Sequence, residues 1–443
     1  MKNIILKTGT LLLAFIATTC LTFADNTTKE LNIDGIKVIL KTTPKEVISV
    51  RMFIEGGTAN YDDKLEGIEN MTLSLMIDGG TKNLSKLDFK TESEKIGTSF
   101  SAATNLDYGF ISMTCIKAFW DKSWNLFADA VMNPALSKDE FTILQQQLVA
   151  GAKSNESDPD GHLALISRRN AFPNSNYRKE PNGTAESLNA LTLDQVQKYY
   201  SQIIVKKRTF IVVVGNITEA EITKAIKESL AKLPQGTTTA REQQTILTEG
   251  KVFIEDRDIA TNYIRGVMSA PMLNTKEGVA MRIAMNILGD RYFTELRTKR
   301  SLSYAPAAFY AQAAVFNPYS VIYISTTDPE QSMQVMVDEI NKIKKEGFSE
   351  EELTDTRETF LTQYYLTLET TANQANALGV SEMAGGWEMM DNFTKDVNET
   401  TLKEVNKVFD QYSKAIVWTY LGKQGMVKQE NFKQPVETKN KPY

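Results

Sequence analysis

The sequence predicts an α+β chain of two duplicated domains, each a mainly antiparallel sheet covered by helices. Three paired signals carry this reading. Leu136-Ser137-Lys138-Asp139-Glu140-Phe141 combines a capping-box serine and glutamate with an apolar staple, and Phe348-Ser349-Glu350-Glu351-Glu352-Leu353 repeats it 212 residues later. Leu191-Thr192-Leu193-Asp194-Gln195-Val196 opens a helix by the same logic, and Thr401-Leu402-Lys403-Glu404-Val405 does so 209 residues further on. Each copy then closes on a β-rich run ending in glycine, Phe210 to Gly215 and Ala415 to Gly422. Capping boxes are common singly, but a shared order and offset marks a duplication.

The elements follow in order. Residues 1–24 read as a secretion signal, with Lys2 and Lys7 at the charged start, an apolar run over 11–16 and Thr22-Phe23-Ala24 as the cleavage site. The first domain spans 25–234 and opens with strands at 35–41 and 48–55. A helix over 65–77 and a hairpin of 100–103 with 108–116 follow. In the hairpin's second strand, Ile111, Met113 and Cys115 alternate with Phe110, Ser112 and Thr114, so the first three face the core. Residues 235–246 lack an apolar period and read as a linker. The second domain spans 247–430, with strands at 251–255, 263–269 and 304–311, and a tail occupies 431–443. Sheets grouped with hairpins and helices in blocks give α+β layers.

Composition narrows the function classes. The 50 basic and 55 acidic side chains leave a charge of −5, with no basic run, which argues against nucleic acid. Only Cys115 remains once the signal is removed, so an internal disulfide is impossible. No later stretch approaches the roughly 20 apolar residues of a membrane span, so export, to the periplasm, is the expectation. Lipid anchoring through Cys20 is the alternative, but Ala17-Thr18-Thr19 lacks the small residue that should precede the cysteine.

On the helix over 65–77, Leu65, Ile68, Thr72, Leu75 and Met76 fall on one stripe, while Asn70 and Ser74 share another. Periodicity alone makes this an amphipathic helix ending at Gly79-Gly80. The frame Gly67-Ile68-Glu69-Asn70-Met71-Thr72-Leu73-Ser74-Leu75-Met76-Ile77-Asp78-Gly79-Gly80-Thr81 is followed by Ser101-Ala102-Ala103-Thr104. Ser154-Asn155-Glu156-Ser157-Asp158-Pro159 and Leu296-Arg297-Thr298-Lys299-Arg300-Ser301-Leu302-Ser303-Tyr304 come later. In this order the chain resembles the pitrilysin or insulinase-type peptidase family, which includes the mitochondrial processing peptidase, over nearly the whole mature chain.

The resemblance implies the layered metallopeptidase fold of the processing peptidases, and it exposes a loss. Active members carry H-x-x-E-H on this helix, two histidines one turn apart for zinc and a glutamate to activate water. Here those positions are Asn70, Leu73 and Ser74. The third, carboxylate ligand falls at Gln147 or, one turn later, at Gly151, and neither supplies one. No cofactor is therefore expected in this chain, and zinc is expected in a partner chain of the same family that retains H-x-x-E-H.

What is kept is Arg297 and Tyr304, which resemble the family's arginine-tyrosine pair facing the zinc site across a chamber. A planar guanidinium can fix a substrate carbonyl or carboxylate, and a phenol can donate to an oxyanion. Gly289-Asp290 upstream reads as a helix break, and Lys299 and Arg300 as a solvated face. The family's substrate-pairing strand matches Ser101 and Ala102, although the family usually has asparagine where Ser101 stands. The single histidine, His162, follows Asp158-Pro159-Asp160-Gly161 and reads as an exposed or capping residue.

These observations point to an exported, non-catalytic subunit that lends Arg297 and Tyr304 to a zinc-bearing partner acting on peptides. The alternative is a scaffold or binding protein without a catalytic part. An independent hydrolase using Ser74 would lack a histidine base.

Overall fold

The computed structural model describes residues 28–436. The expected signal segment, Cys20 and the end of the tail lie outside them. The first copy runs β1 (Thr28–Ile33), β2 (Ile36–Thr42), β3 (Val47–Glu55), α1 (Ile68–Asp78), α2 (Lys86–Lys95), β4 (Ser99–Thr104) and β5 (Tyr108–Ile116). It continues with α3 (Trp120–Met132), α4 (Lys138–Ser157), α5 (Pro159–Ala171), α6 (Ala185–Ala190), α7 (Leu193–Ile203), β6 (Thr209–Gly215) and α8 (Glu219–Glu228). The second copy runs β7 (Lys251–Asp256), β8 (Asn262–Ser269), α9 (Lys276–Tyr292), β9 (Ala307–Tyr310) and β10 (Tyr319–Thr326). It ends with α10 (Pro329–Glu346), α11 (Glu350–Thr367), α12 (Thr371–Ala384), α13 (Glu388–Glu399), α14 (Leu402–Tyr412) and β11 (Val417–Gly422).

The duplication is visible in the pairing. One sheet has the order β1-β2-β6-β3-β5-β4 and the other β7-β11-β8-β10-β9, so the second repeats the first without its β1 edge. In each sheet one pairing is parallel, β2 with β6 and β7 with β11, and the rest are antiparallel. The sequence reading misses β1 because only Ile33 of its six residues is fully buried, which leaves no alternation to detect.

Three of the four capping motifs close in both directions, at Thr192 with Gln195, Ser349 with Glu352 and Thr401 with Glu404. At Ser137 only half of the box forms. The serine accepts the Glu140 amide, but the Glu140 carboxylate takes a hydrogen bond from Lys86 Nζ at 2.7 Å. Leu136 and Phe141, the staple pair, are both buried.

Each copy covers only one face of its own sheet. The other face is roofed by a helix from the opposite copy: α12 lies on β3 and β6, and α5 lies on β8 and β11. Polar contacts register both roofs. Ser49 Oγ meets Thr371 Oγ1 at 2.9 Å, Arg51 donates to Asn376, and Lys37 pairs with Glu382 at 2.7 Å. On the other roof, Asn170 donates to Thr419 Oγ1 at 3.1 Å and Tyr323 donates to Asp160. His162 belongs here too. It is half-buried in the first turn of α5, with Nε2 2.7 Å from Glu255 Oε1 on β7, so the expected exposed or capping role is corrected to a tie between the copies. The cap of α5 is Asp158, which accepts from the Gly161 amide at 2.9 Å.

Asp107, in the turn before β5, fastens the copies directly. Its buried Oδ2 accepts the amides of Val315 at 2.6 Å and Phe316 at 3.1 Å as well as the Tyr177 hydroxyl, and burial pushes its carboxyl up to about 6. The segment 235–246 has no helix or strand, yet it is held: Glu242 accepts from Ser175 Oγ and Asn176 Nδ2, and Gln244 donates to the Ala270 carbonyl. Phe432, from the expected tail, is buried against Trp418 and Tyr420. Among the described residues no helix is long and apolar enough to cross a membrane.

The roof of the first sheet depends on one absent side chain. A Cβ at Gly379 would stand 2.1 Å from the Phe53 ring, which is itself held by stacking on Phe210 at 4.9 Å. Gly379→Val is therefore expected to cost about 3 kcal/mol through overpacking. Gly425→Ala, where a Cβ meets nothing within 4 Å, is expected to stay within about 0.5 kcal/mol of the parent. Urea denaturation midpoints of the two variants test this.

Candidate functional site

Helix α1 starts at Ile68, three residues later than expected, because Asp63–Leu65 forms a 3₁₀ turn and Gly67 adopts φ 85°. That glycine is required twice over. Its left-handed backbone disfavours a side chain, and a Cβ there would lie 2.7 Å from the Cα of Gly183, so two backbones touch where the helix begins. At the other end, the Gly79 amide closes on the Leu75 carbonyl, and Thr81 Oγ1 accepts the amides of Asn83 and Leu84. The glycine-framed segment is thus a machine for holding one helix in place.

Between its ends α1 is buried on nearly every side. Apart from the exposed last residue, Asp78, only Asn70 and Ser74 are less than fully buried. They share one open face: Ser74 Oγ donates to Asn70 Oδ1 at 3.4 Å, and Asn70 Nδ2 donates to the Asn182 carbonyl at 3.2 Å. Leu73, at the position of the catalytic glutamate, is fully buried and packs toward Gly109.

The two alternatives for the third ligand part company in space. Gln147 is exposed in a cleft with Leu75, Asp78 and Glu140, at the C-terminal end of α1. Further along α4, Glu156 accepts the Ala185 amide beside the loop that meets the start of α1. Gly151 lies one turn beyond Gln147 on α4, between these two points. A Cβ at Gly151 would meet nothing within 4 Å. An amide, a hydroxyl and a bare backbone are a poor donor set for zinc. The residues do not fit the metal, and among the described residues no cluster of three or more His, Cys, Asp or Glu could hold one.

The sequence reading overlooks Glu69. It sits fully buried beside Asn70, accepting from the Tyr199 hydroxyl at 2.6 Å and from Asn60 Nδ2 at 3.3 Å through one oxygen. The other oxygen has no partner among the described residues and lies against Gly109. Burial raises its carboxyl from 4.5 to about 7, against the lowering effect of those two donors. An acidic residue in the first turn of a helix ordinarily reads as dipole compensation, so nothing local marks this one as buried.

Arg297 and Tyr304 do come together. Helix α9 continues through Gly289-Asp290 without the expected break and runs into a single π-helical turn, Phe293–Thr298. The strand expected from Tyr304 begins only at Ala307. This turn sets the Arg297 guanidinium between two rings, 4.3 Å from the centroid of Tyr304 and 4.7 Å from that of Phe293. Tyr304 is 79 % exposed. Lys299 and Arg300 both pair with Glu295, whereas no carboxylate among the described residues pairs with Arg297. No hydrogen bond, ion pair or ring contact among the described residues joins Arg297 or Tyr304 to Asn70, Leu73, Ser74 or Gly151. Ser101 and Ala102 lie on β4, the outermost strand of its sheet. Ser101 is exposed, with its Oγ 2.6 Å from Ser112 Oγ, and Ala102 is half-buried. Cys115 packs in the core as expected.

Two outcomes follow. Asn70→His with Ser74→His and Gly151→Glu is expected to bind about one zinc per chain in equilibrium dialysis, and the same histidines with Gln147→Glu are expected to bind far more weakly. Glu69 holds its proton more tightly when folded, so its contribution to stability falls as pH rises from about 4.5 to 7 and is flat above, by about 3 kcal/mol in all. Glu69→Gln is expected to remove that slope, making the variant more stable than the parent at pH 8 with the gap closing by pH 5. Denaturant midpoints at the two pH values measure it.

Comparison with known proteins agrees with this geometry. A family model described as Insulinase (Peptidase family M16) matches residues 37–191, and one described as Peptidase M16 inactive domain matches 190–360. The non-peptidase homolog YmxG of Helicobacter pylori is 22 % identical over 74 % of this chain and 77 % of its own length. The zinc protease PqqE of the same organism is 22 % identical over 86 % and 89 %. A crystal structure of a peptidase M16 inactive domain from Pseudomonas fluorescens superposes with a TM-score of 0.83 at 17 % identity, covering 90 % of this chain and 98 % of that one. The two matched models adjoin and the fold is shared, while all positions for metal ligands carry other residues: the chain belongs to the insulinase-type M16 peptidase family, as a pseudo-peptidase.

Proposed function

We propose that this chain is the exported, non-catalytic subunit of a zinc-dependent peptidase complex, paired with a homologous chain that retains H-x-x-E-H. The observation that carries the proposal is the state of Arg297. A structural arginine is ordinarily neutralised, as Lys299 and Arg300 are by Glu295. Arg297 is instead oriented by two aromatic faces, with its nitrogens left for another acceptor, beside an exposed phenol.

In this reading the partner supplies metal, base and water, and the reaction starts there. Arg297 holds a carbonyl or carboxylate of the peptide, and Tyr304 donates its hydroxyl proton to the developing oxyanion as a hydrogen bond. Strand β4, with the small side chains of Ser101 and Ala102 at a sheet edge, is the place where an extended peptide backbone adds. Residues 1–24 take the chain to the periplasm, where its single mature cysteine forms no internal bridge.

The test uses the complex. Arg297→Ala and Tyr304→Phe, each co-purified with the zinc chain, are expected to leave assembly and zinc content intact and to lower kcat/KM on a peptide by about 100-fold, as loss of one oxyanion donor does. The alternative reading, a scaffold without catalytic part, draws on the fact that the aromatic stack is self-contained, and it requires unchanged kcat/KM in both variants. A zinc chain equally active alone would remove the proposed role.

A further inference from the structure

A second arginine is left without a counter-charge, and this one faces a cavity. Arg282, on α9, packs against the rings of Phe393 at 4.4 Å and Phe360 at 5.1 Å, which meet each other edge to face. Its Nε–H is buried and finds no acceptor, and no carboxylate among the described residues pairs with it. The cleft beside it, about 410 Å³ and partly open to solvent, is lined by α9, α11, α12 and α13 together with Tyr108 and the Gln312-Ala313 turn. That volume falls within the range of small-molecule sites, roughly 300–1,000 Å³.

The walls are amphipathic in a sorted way. Val279, Val380, Met389 and Phe393 supply apolar surface, and the side-chain amides of Asn274 and Asn376 supply polar points. Asn376 already accepts from Arg51 through its oxygen, so its NH₂ remains a donor. Arg51 itself stacks on Phe110 at 4.0 Å and has no carboxylate partner among the described residues, which adds a second positive charge behind the wall. Asp396 is the one acidic residue on the lining, and it makes no ion pair with Arg282.

We propose that this cavity is a binding site for a small amphipathic carboxylate, with its carboxylate on Arg282 and its apolar body against Val279, Val380 and Met389. A guanidinium is never discharged in ordinary conditions, so burying one without an anion carries a standing cost that a bound carboxylate removes. Burial pulls the Arg282 guanidinium down to about 10, consistent with that cost. The two rings hold the guanidinium at the wall of the cleft, where a carboxylate can accept charge-assisted hydrogen bonds from it. The ligand is either a free organic acid or the C-terminal carboxylate of a short apolar peptide. The site does not depend on Arg297, Tyr304 or a partner chain.

Isothermal titration of the mature chain tests this with four probes: octanoate, octanol, an N-acetylated tripeptide ending in leucine, and its C-terminal amide. At least one acid is expected to bind saturably, about 10- to 100-fold tighter than its neutral counterpart, as one charge-assisted contact dictates. Preference for octanoate identifies a free acid as the source, and preference for the peptide acid identifies a peptide terminus. Arg282→Met, which keeps the shape, is expected to erase the difference between acid and neutral probe. Val380→Trp, which fills the cavity and leaves the arginine, is expected to weaken every probe at least tenfold, a readout that survives if Arg282→Met fails to fold. Saturable binding by neither acid, equal affinity of acid and neutral probe in the parent, or unchanged binding in Val380→Trp overturns the proposal.

Discussion

The structure depends on the reciprocal roofing of two sheets by helices that each copy gives to the other. A sheet whose two faces are both apolar must be covered twice, and each copy has helices enough for one face only. The consequence is read most directly in the last strands: every residue of β6 and of β11 is buried, because own helices lie on one side and a donated helix on the other. Phe53, Phe210 and Val212 of the first sheet accordingly belong to the same apolar cluster as Met281, Leu378 and Trp418 of the second copy. A copy removed from its mate would expose that face and lose its helix at once. The chain therefore carries two domains by sequence and one continuous core by packing.

That constraint explains how a metal site can empty while its frame stays. Helix α1 is held by the Gly67 contact with Gly183, by the Glu69 hydrogen bonds to Tyr199 and Asn60, and by apolar burial on all other sides. None of these uses the face of Asn70 and Ser74. Replacing ligands on the one open face leaves the packing untouched, and leucine at position 73 adds apolar surface where an unpaired glutamate would be costly. Arg297 and Arg282 show the opposite relation. Both guanidiniums are held against rings with no carboxylate partner among the described residues.

Legibility in the sequence followed the range of the interaction. The capping motifs act within four residues, and three of the four formed as read. The exception, at Ser137, failed because Glu140 met Lys86, 54 positions away. The alternation that buries Ile111, Met113 and Cys115 is equally local and held. The role of His162 is not legible locally, because its partner, Glu255, lies 93 positions on and in the other copy. The continuity of α9 through Gly289 is not legible either, because glycine weakens a helix in isolation, whereas here the helix is packed along its length. Glu69 and Arg282 carry no signal in the sequence, since a charged residue on an amphipathic pattern reads as solvent-facing until the neighbouring elements are in place.

The sequence by itself determined the duplication, the α+β class and the loss of every metal-ligand side chain, because residue identity and near-neighbour spacing are written along the chain. The tertiary structure alone decided which helix covers which sheet, that Gln147 opens on a cleft at the C-terminal end of α1, and which charges are left unpaired among the described residues. These outcomes turn on contacts between residues from 93 to 345 positions apart, whose mutual geometry no local pattern encodes, and on burial, which exists only once both copies have closed on one another.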